Sequence, residues 1–202
     1  MYFLPYIAIN AVLSTLLVLP VLIPLHIRAR RQGATKRHTF GLYAYTVAVV
    51  AILQITGVPD ILHLTVDTHH NFTPFDIWPQ MSMQYILNAM LFVPIGVTLP
   101  MLWKRFRNPV KVIAAGALFS LLIELSQCFN FRATDIDDLM MNTLGTAVGC
   151  LLFYALRFII PPLKGFRDPE KTPQQYQVVV LWLAAWTVMF CVQPFVNRVL
   201  WG

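Results

Sequence analysis

Residues 120–145 read SLLIELSQCFNFRATDIDDLMMNTLG. Glu124 stands in an apolar run long enough to cross a bilayer, a turn rich in Asp follows, and a second apolar run opens with Asp138 and Asn142. A charged group at the bilayer centre costs roughly 2.5–3.5 kcal/mol on insertion scales, so such groups face a bundle interior or a wet cavity. A carboxylate in that position can act as a general acid or base, relay a proton, or accept hydrogen bonds from a ligand. Glu124 needs a partner or a proton of its own to be buried, and Arg132 is near enough along the chain to fold back on it.

Asp135, Asp137 and Asp138 admit several readings. Acids ahead of a helix cap its free N–H groups and complement its dipole. One cap needs one such residue, so three acids within four positions exceed the requirement. The remainder could hold a divalent cation through oxygens or answer a cationic ligand, and the motif alone does not choose. His63, Asp67, His69, His70 and Asp76 gather between two apolar runs, but their spacing follows no zinc pattern. No metal or other cofactor is expected. No G-x-S-x-G, P-loop or H-E-x-x-H motif is present.

These side chains must be held by membrane helices. Hydrophobic residues make up 57% of the 202-residue chain and charged ones only 12%, against about 45–50% and about 25% in soluble domains. A crossing takes about 20 mostly apolar residues. The runs at 4–26, 40–62, 82–102, 111–129, 138–160 and 177–197 predict an all-α bundle of six transmembrane helices. Pro5, Pro20 and Pro24 make the first the least regular. Its charge follows the apolar stretch at Arg28–Arg31 and no A-x-A site precedes that charge, so it reads as an uncleaved span rather than a signal peptide.

The net charge is +6, and thirteen of the fifteen Lys and Arg residues lie in alternate connections, around 28–37, 104–111 and 157–171. The positive-inside rule makes those connections cytoplasmic and both termini extracytoplasmic. Such short clusters anchor helices and give no basic, aromatic-interleaved patch for nucleic acid. Trp78 and Trp201 fall near the expected outer boundary, and Trp103 and Trp182 near the inner one, as an aromatic belt would place them. Cys128, Cys150 and Cys191 read as small buried hydrophobes, a Cys128–Cys191 bridge being the alternative.

At about 1.5 Å rise per residue, Glu124 lies roughly 8 Å, Asn88 roughly 9 Å and Asn142 roughly 6 Å below the outer ends of their helices. Ser120, Glu124 and Gln127 share one helix face, Gln84 and Asn88 another, and Asp138, Asn142, Gly145 and Gly149 a third. Three polar faces at one depth predict a hydrophilic pocket open to the outside. Interhelical hydrogen bonding, worth about 0.6 kcal/mol each, is an equal account of Asn88, Gln84, Ser120 and Gln127. The two glycines would let a neighbouring helix approach closely.

NFTPFD at 71–76, NAMLFVPIG at 88–96 and SLLIELSQ at 120–127, continuing through FRATDIDDLMMNTLG at 131–145, resemble the VanZ-like family of bacterial membrane proteins in order and spacing. The resemblance covers roughly residues 45–158. It implies a division into residues 1–39, a VanZ-like domain at 40–160, and a Pro-rich linker with the last span at 161–202. It implies a place in the bacterial cell membrane and an association with low-level resistance to teicoplanin, a glycopeptide antibiotic with a lipid tail. By motif the family's positions fall on Asn71, Pro74, Phe75, Asn88, Pro94, Gly96, Glu124, Gln127, Arg132, Asp135, Asp137, Asp138, Asn142 and Gly145; Pro94 and Gly96 read as structural.

Three functions compete. The outward acidic pocket could bind a lipid head group, a lipid-linked envelope precursor or a lipoglycopeptide, through Asn71, Asn88, Glu124, Gln127, Arg132, Asp135, Asp137, Asp138 and Asn142. It could instead be an intramembrane enzyme for a lipid-linked envelope substrate, with Glu124 and Asp138 as catalytic candidates, Arg132 on a phosphate and the Asp cluster on a metal. Transport is opposed by the apolar inner halves at Val112–Leu118 and Val148–Phe158. The ligand and the oligomeric state are left open.

Overall fold

The computed structural model describes residues 3–66, 70–71, 73–75, 82–130, 134–159 and 176–201. Six helical stretches among them are long and apolar enough to cross a membrane, as hydropathy predicts. They are α1 (Phe3–Arg31), α2 (Lys36–Thr56), α3 (Ser82–Leu102), α4 (Pro109–Gln127), α5 (Ile136–Ile159) and a last span. The last span joins α6 (Tyr176–Thr187), a π turn (Val188–Val192) and α7 (Gln193–Trp201). The exception to helix is a two-residue parallel ladder between β1 (His70–Asn71) and β2 (Thr134–Asp135).

Local chemistry sets the ends. Thr35 caps α2 by accepting the His38 N–H at 3.2 Å, and Asn108 caps α4 by accepting the Val110 N–H at 3.0 Å, with Pro109 in the first turn where it wastes no donor. Gly57, at φ 72°, closes α2 in the left-handed conformation and returns its N–H to the Leu53 carbonyl. That stop comes earlier than the expected boundary at 62, because hydropathy continues where backbone geometry does not. Pro20 and Pro24 lie inside α1 without ending it.

Pro194 shapes the last span. Lacking an N–H, it cannot bond the carbonyl four residues back. The chain widens by one residue, so that the Gln193 N–H reaches the Val188 carbonyl, and the free Phe190 carbonyl accepts the Ile61 N–H at 3.0 Å.

One apolar core draws on every span, through Leu22, Leu53, Phe92, Phe119, Cys150 and Leu181. The closest helix pair is α3 with α5. A Cβ on Gly145 would overlap the Ala89 carbonyl, and one on Gly96 would come within 2.9 Å of Gly149 Cα, so these two backbones touch because the side chains are missing.

The tryptophans correct the belt. Trp103 is fully buried, its indole N–H donating to Gln177 Oε1 at 3.2 Å and its ring edge-on to Tyr45. Trp182 donates to the Tyr45 hydroxyl at 2.6 Å and stacks on Phe119 at 4.7 Å. An indole whose one donor is satisfied inside the protein has no need of a head group. Trp78 lies outside the described residues. The three cysteines are free thiols, so Cys128 and Cys191 are not bridged.

Candidate functional site

The bundle has a basic end, where the α1–α2 and α3–α4 connections carry their arginines and lysines, and an acidic end at the opposite termini of the same helices. The acidic end is built from four pieces: the start of α3, the end of α4, the start of α5, and the short segment of β1 and Phe75.

Each acid at the start of α5 has its own task. Asp135 is the cap: its Oδ1 accepts the Asp137 N–H at 2.9 Å. Pairing of Asn71 with Asp135 in the ladder brings the Asn71 carboxamide to the same carboxylate, at 3.4 and 3.5 Å. Asp137 is wholly buried and accepts the Phe75 N–H at 2.9 and 3.0 Å and the Tyr85 hydroxyl at 2.9 Å. Asp138 accepts from the Asn88 carboxamide of α3. Among the described residues no three His, Cys, Asp or Glu side chains are grouped to hold a metal ion.

Glu124 lies in the last turn of α4, three residues before its end, and so sits shallower than a helix running to 129 implied. It is nonetheless only 3% exposed, and its Oε2 accepts the Asp135 N–H at 3.0 Å. The acid therefore ties α4 to the loop that starts α5. Asn142 donates to Ser120 Oγ at 3.0 Å deeper between the same helices, while its Oδ1 is buried without a hydrogen-bond partner among the described residues.

Asn71, Asn88, Glu124, Asp135, Asp137 and Asp138 thus converge on one end, and Asn142 lies below them. Gln127 does not join them. It is buried against α2, donating to the Thr56 carbonyl at 2.9 Å, as Asn130 donates to the Gly57 carbonyl at 2.8 Å. Both satisfy carbonyls at the end of α2. Gln84 is exposed. Arg132, Asp67, His69 and Asp76 lie outside the described residues, while His63 bonds Asp60 at 3.0 Å.

Sequence reasoning missed Tyr85. It is 2% exposed and reaches Asp137 with its hydroxyl, one turn before Asn88 reaches Asp138. The three-residue spacing of Tyr85 and Asn88 on one helix face was the available signal. Phe75 was included only by motif. Its φ of 58° is rare for a residue with a Cβ, and the Asp137 carboxylate holds the backbone there through the Phe75 N–H.

A model of the VanZ/LLP1 family matches residues 11–157. The chain belongs to that family. The VanZ/LLP1 match takes in α1 from residue 11 as well as α2 to α5, further toward the N-terminus than the motifs reach, and it contains every residue of the site just described. No curated protein and no solved structure matches the chain.

Chemically this VanZ/LLP1 site is a set of acceptors in a rigid frame. Asp137 and Glu124 are buried and engaged with the frame, whereas Asn71, Asn88, Asp135 and Asp138 keep partial exposure.

Proposed function

We propose that this VanZ/LLP1 chain is a multi-pass protein of the bacterial cell membrane whose acidic end faces outward and binds a lipid-linked envelope component or a lipoglycopeptide through its hydrogen-bond-donating head. The supporting observation is the division of labour among the acids. Asp137 and Glu124 are spent on holding α3, α4, α5 and the Phe75 segment together, which leaves Asp135 and Asp138 partly exposed between Asn71 and Asn88. A frame of this kind preorganises acceptors for amines, amides and hydroxyls without moving on binding. The outward direction follows from the basic connections at the other end, and teicoplanin resistance is the phenotype that the family resemblance implies.

The test expresses the wild type and Glu124→Gln at matched levels in a teicoplanin-susceptible Gram-positive host. Killing by teicoplanin is compared with killing by vancomycin, which has no lipid tail. Protection against teicoplanin alone, lost in the variant, is the expected result. Equal killing with and without the protein would remove the antibiotic from the proposal, and protection that survives Glu124→Gln would reduce Glu124 to packing.

A further inference from the structure

The acidic end continues into an apolar recess, and Phe75 belongs to both. A cavity of about 800 Å³ lies between α4 and α5, lined by Phe75, Ala117, Leu121, Met140, Leu144 and Ala147 among others. Its wall along α5 runs from Leu139 to Ala147, roughly 12 Å of helix. Thr143 also lines it, but the Thr143 hydroxyl donates to the Leu139 carbonyl at 2.7 Å, so the wall offers no spare donor. Ala117 and Ala147 contribute the small side chains of the lining. Leu121, Met140 and Leu144 are about half exposed, so the recess also opens sideways, onto a surface that a bilayer would cover.

From this geometry we infer that the α4–α5 recess receives one hydrocarbon chain of the amphiphile whose head group binds between Asp135 and Asp138; the inference rests on the head-group reading above. Three observations favour a lipid chain as occupant. The recess lies beside helices of membrane-spanning length, where hydrocarbon is the surrounding medium. Its upper rim is Phe75, whose N–H is bonded to Asp137 and whose ring stands edge-on to Tyr85 at 5.8 Å, so an amphiphile with its head at the acids has its chain at this rim. Met140 and Met141 supply flexible wall that adapts to a chain of any conformation.

The expected effect is positional rather than a large gain in affinity. Lipid tails are as apolar as leucine, so a chain moving from bilayer to recess gains packing but no hydrophobic free energy. The measurement must therefore read where the chain lies.

The protein in phosphatidylcholine nanodiscs is given a small fraction of lysophosphatidylethanolamine carrying a mid-chain diazirine, irradiated, and the adducts are mapped by mass spectrometry. Adducts at Met140, Met141 and Leu144 should exceed those at Met83 and Met90, exposed methionines of α3, several-fold. Ala147→Trp should abolish the excess by filling the recess, Val47→Trp on the exposed face of α2 should keep it, and Asp138→Asn should lower it. Ala147→Leu serves as the milder filler if the tryptophan variant loses its helical circular dichroism. Even labelling of all exposed methionines would overturn the recess as a chain site and leave the head-group reading to its own test. An excess that ignores Asp138→Asn would overturn the link between chain and head, with the head-group reading at fault.

Discussion

The two ends of this bundle are held together by different means. From the basic end to mid-bundle, α2, α3, α4 and α6 meet through aromatic rings, Trp103 against Tyr45 and Trp182 against Phe119, with the indole N–H groups satisfied by Gln177 and Tyr45. At the acidic end, α3, α4, α5 and the Phe75 segment meet through carboxylates, each accepting from a neighbouring element. Aromatic packing tolerates change because its energy is spread over many contacts. A buried carboxylate concentrates its energy in two or three bonds, and its loss strands their donors. The contrast separates a region that stabilises from one that positions.

That contrast can be broken first where the two ends share a backbone contact. Gly145→Leu drives a side chain into the Ala89 carbonyl and should give no monodisperse folded protein on size exclusion in detergent. If it folds normally, the α3–α5 contact is not what fixes the register of the acidic end.

Trp182→Ala should cost about 3–5 kcal/mol in denaturant unfolding, the range for a deleted core aromatic. It should leave protection of Phe75 against hydrogen exchange unchanged. At the acidic end Asp137→Ala strands the Phe75 N–H and the Tyr85 hydroxyl, so stability should fall by about 2–3 kcal/mol, less than for Trp182→Ala. Exchange at Phe75 should nevertheless rise sharply. Equal exchange in both variants would erase the distinction between the ends.

Tyr85→Phe should cost the least, about 1 kcal/mol for one hydrogen bond. Its effect should couple to Asp137→Asn in a double-mutant cycle and add simply to Trp182→Ala. Coupling to the tryptophan instead would mean that the aromatic and acidic regions form one cooperative unit.

Much of this molecule was legible in its sequence. Length and hydropathy were enough for six spans, because a bilayer imposes one length on every crossing. Helix faces were enough to turn Asn88, Glu124, Asp138 and Asn142 toward neighbouring elements, but not to set their depths. Glu124 lies shallower and Asn142 deeper than one common level. What stayed hidden depended on partners. Asp135, Asp137 and Asp138 look alike in sequence, and only the positions of Asn71, Phe75, Tyr85 and Asn88 give them separate tasks. Gln127 shares a helix face with Glu124, yet the free carbonyls at the end of α2 claim it. Trp103 and Trp182 fell at belt positions by residue count, while neighbours distant in sequence drew them inside. Pro194 falls inside the expected span 177–197, and nothing in the spacing showed that a freed Phe190 carbonyl would be met by Ile61.

The glycine contact between α3 and α5 also has a consequence in time. Helices that cross a bilayer in turn alternate direction, so α3 and α5 run parallel, as the β1–β2 ladder does, with α4 threaded between them in sequence. The closest pair in the bundle is therefore not a hairpin that could form as soon as its second helix emerges. During synthesis α3 and α4 wait in the membrane with the Ala89 and Val93 carbonyl faces uncovered until α5 arrives. The acceptor for Phe75 and Tyr85 arrives with it, so the acidic end cannot be completed before α5 has left the ribosome.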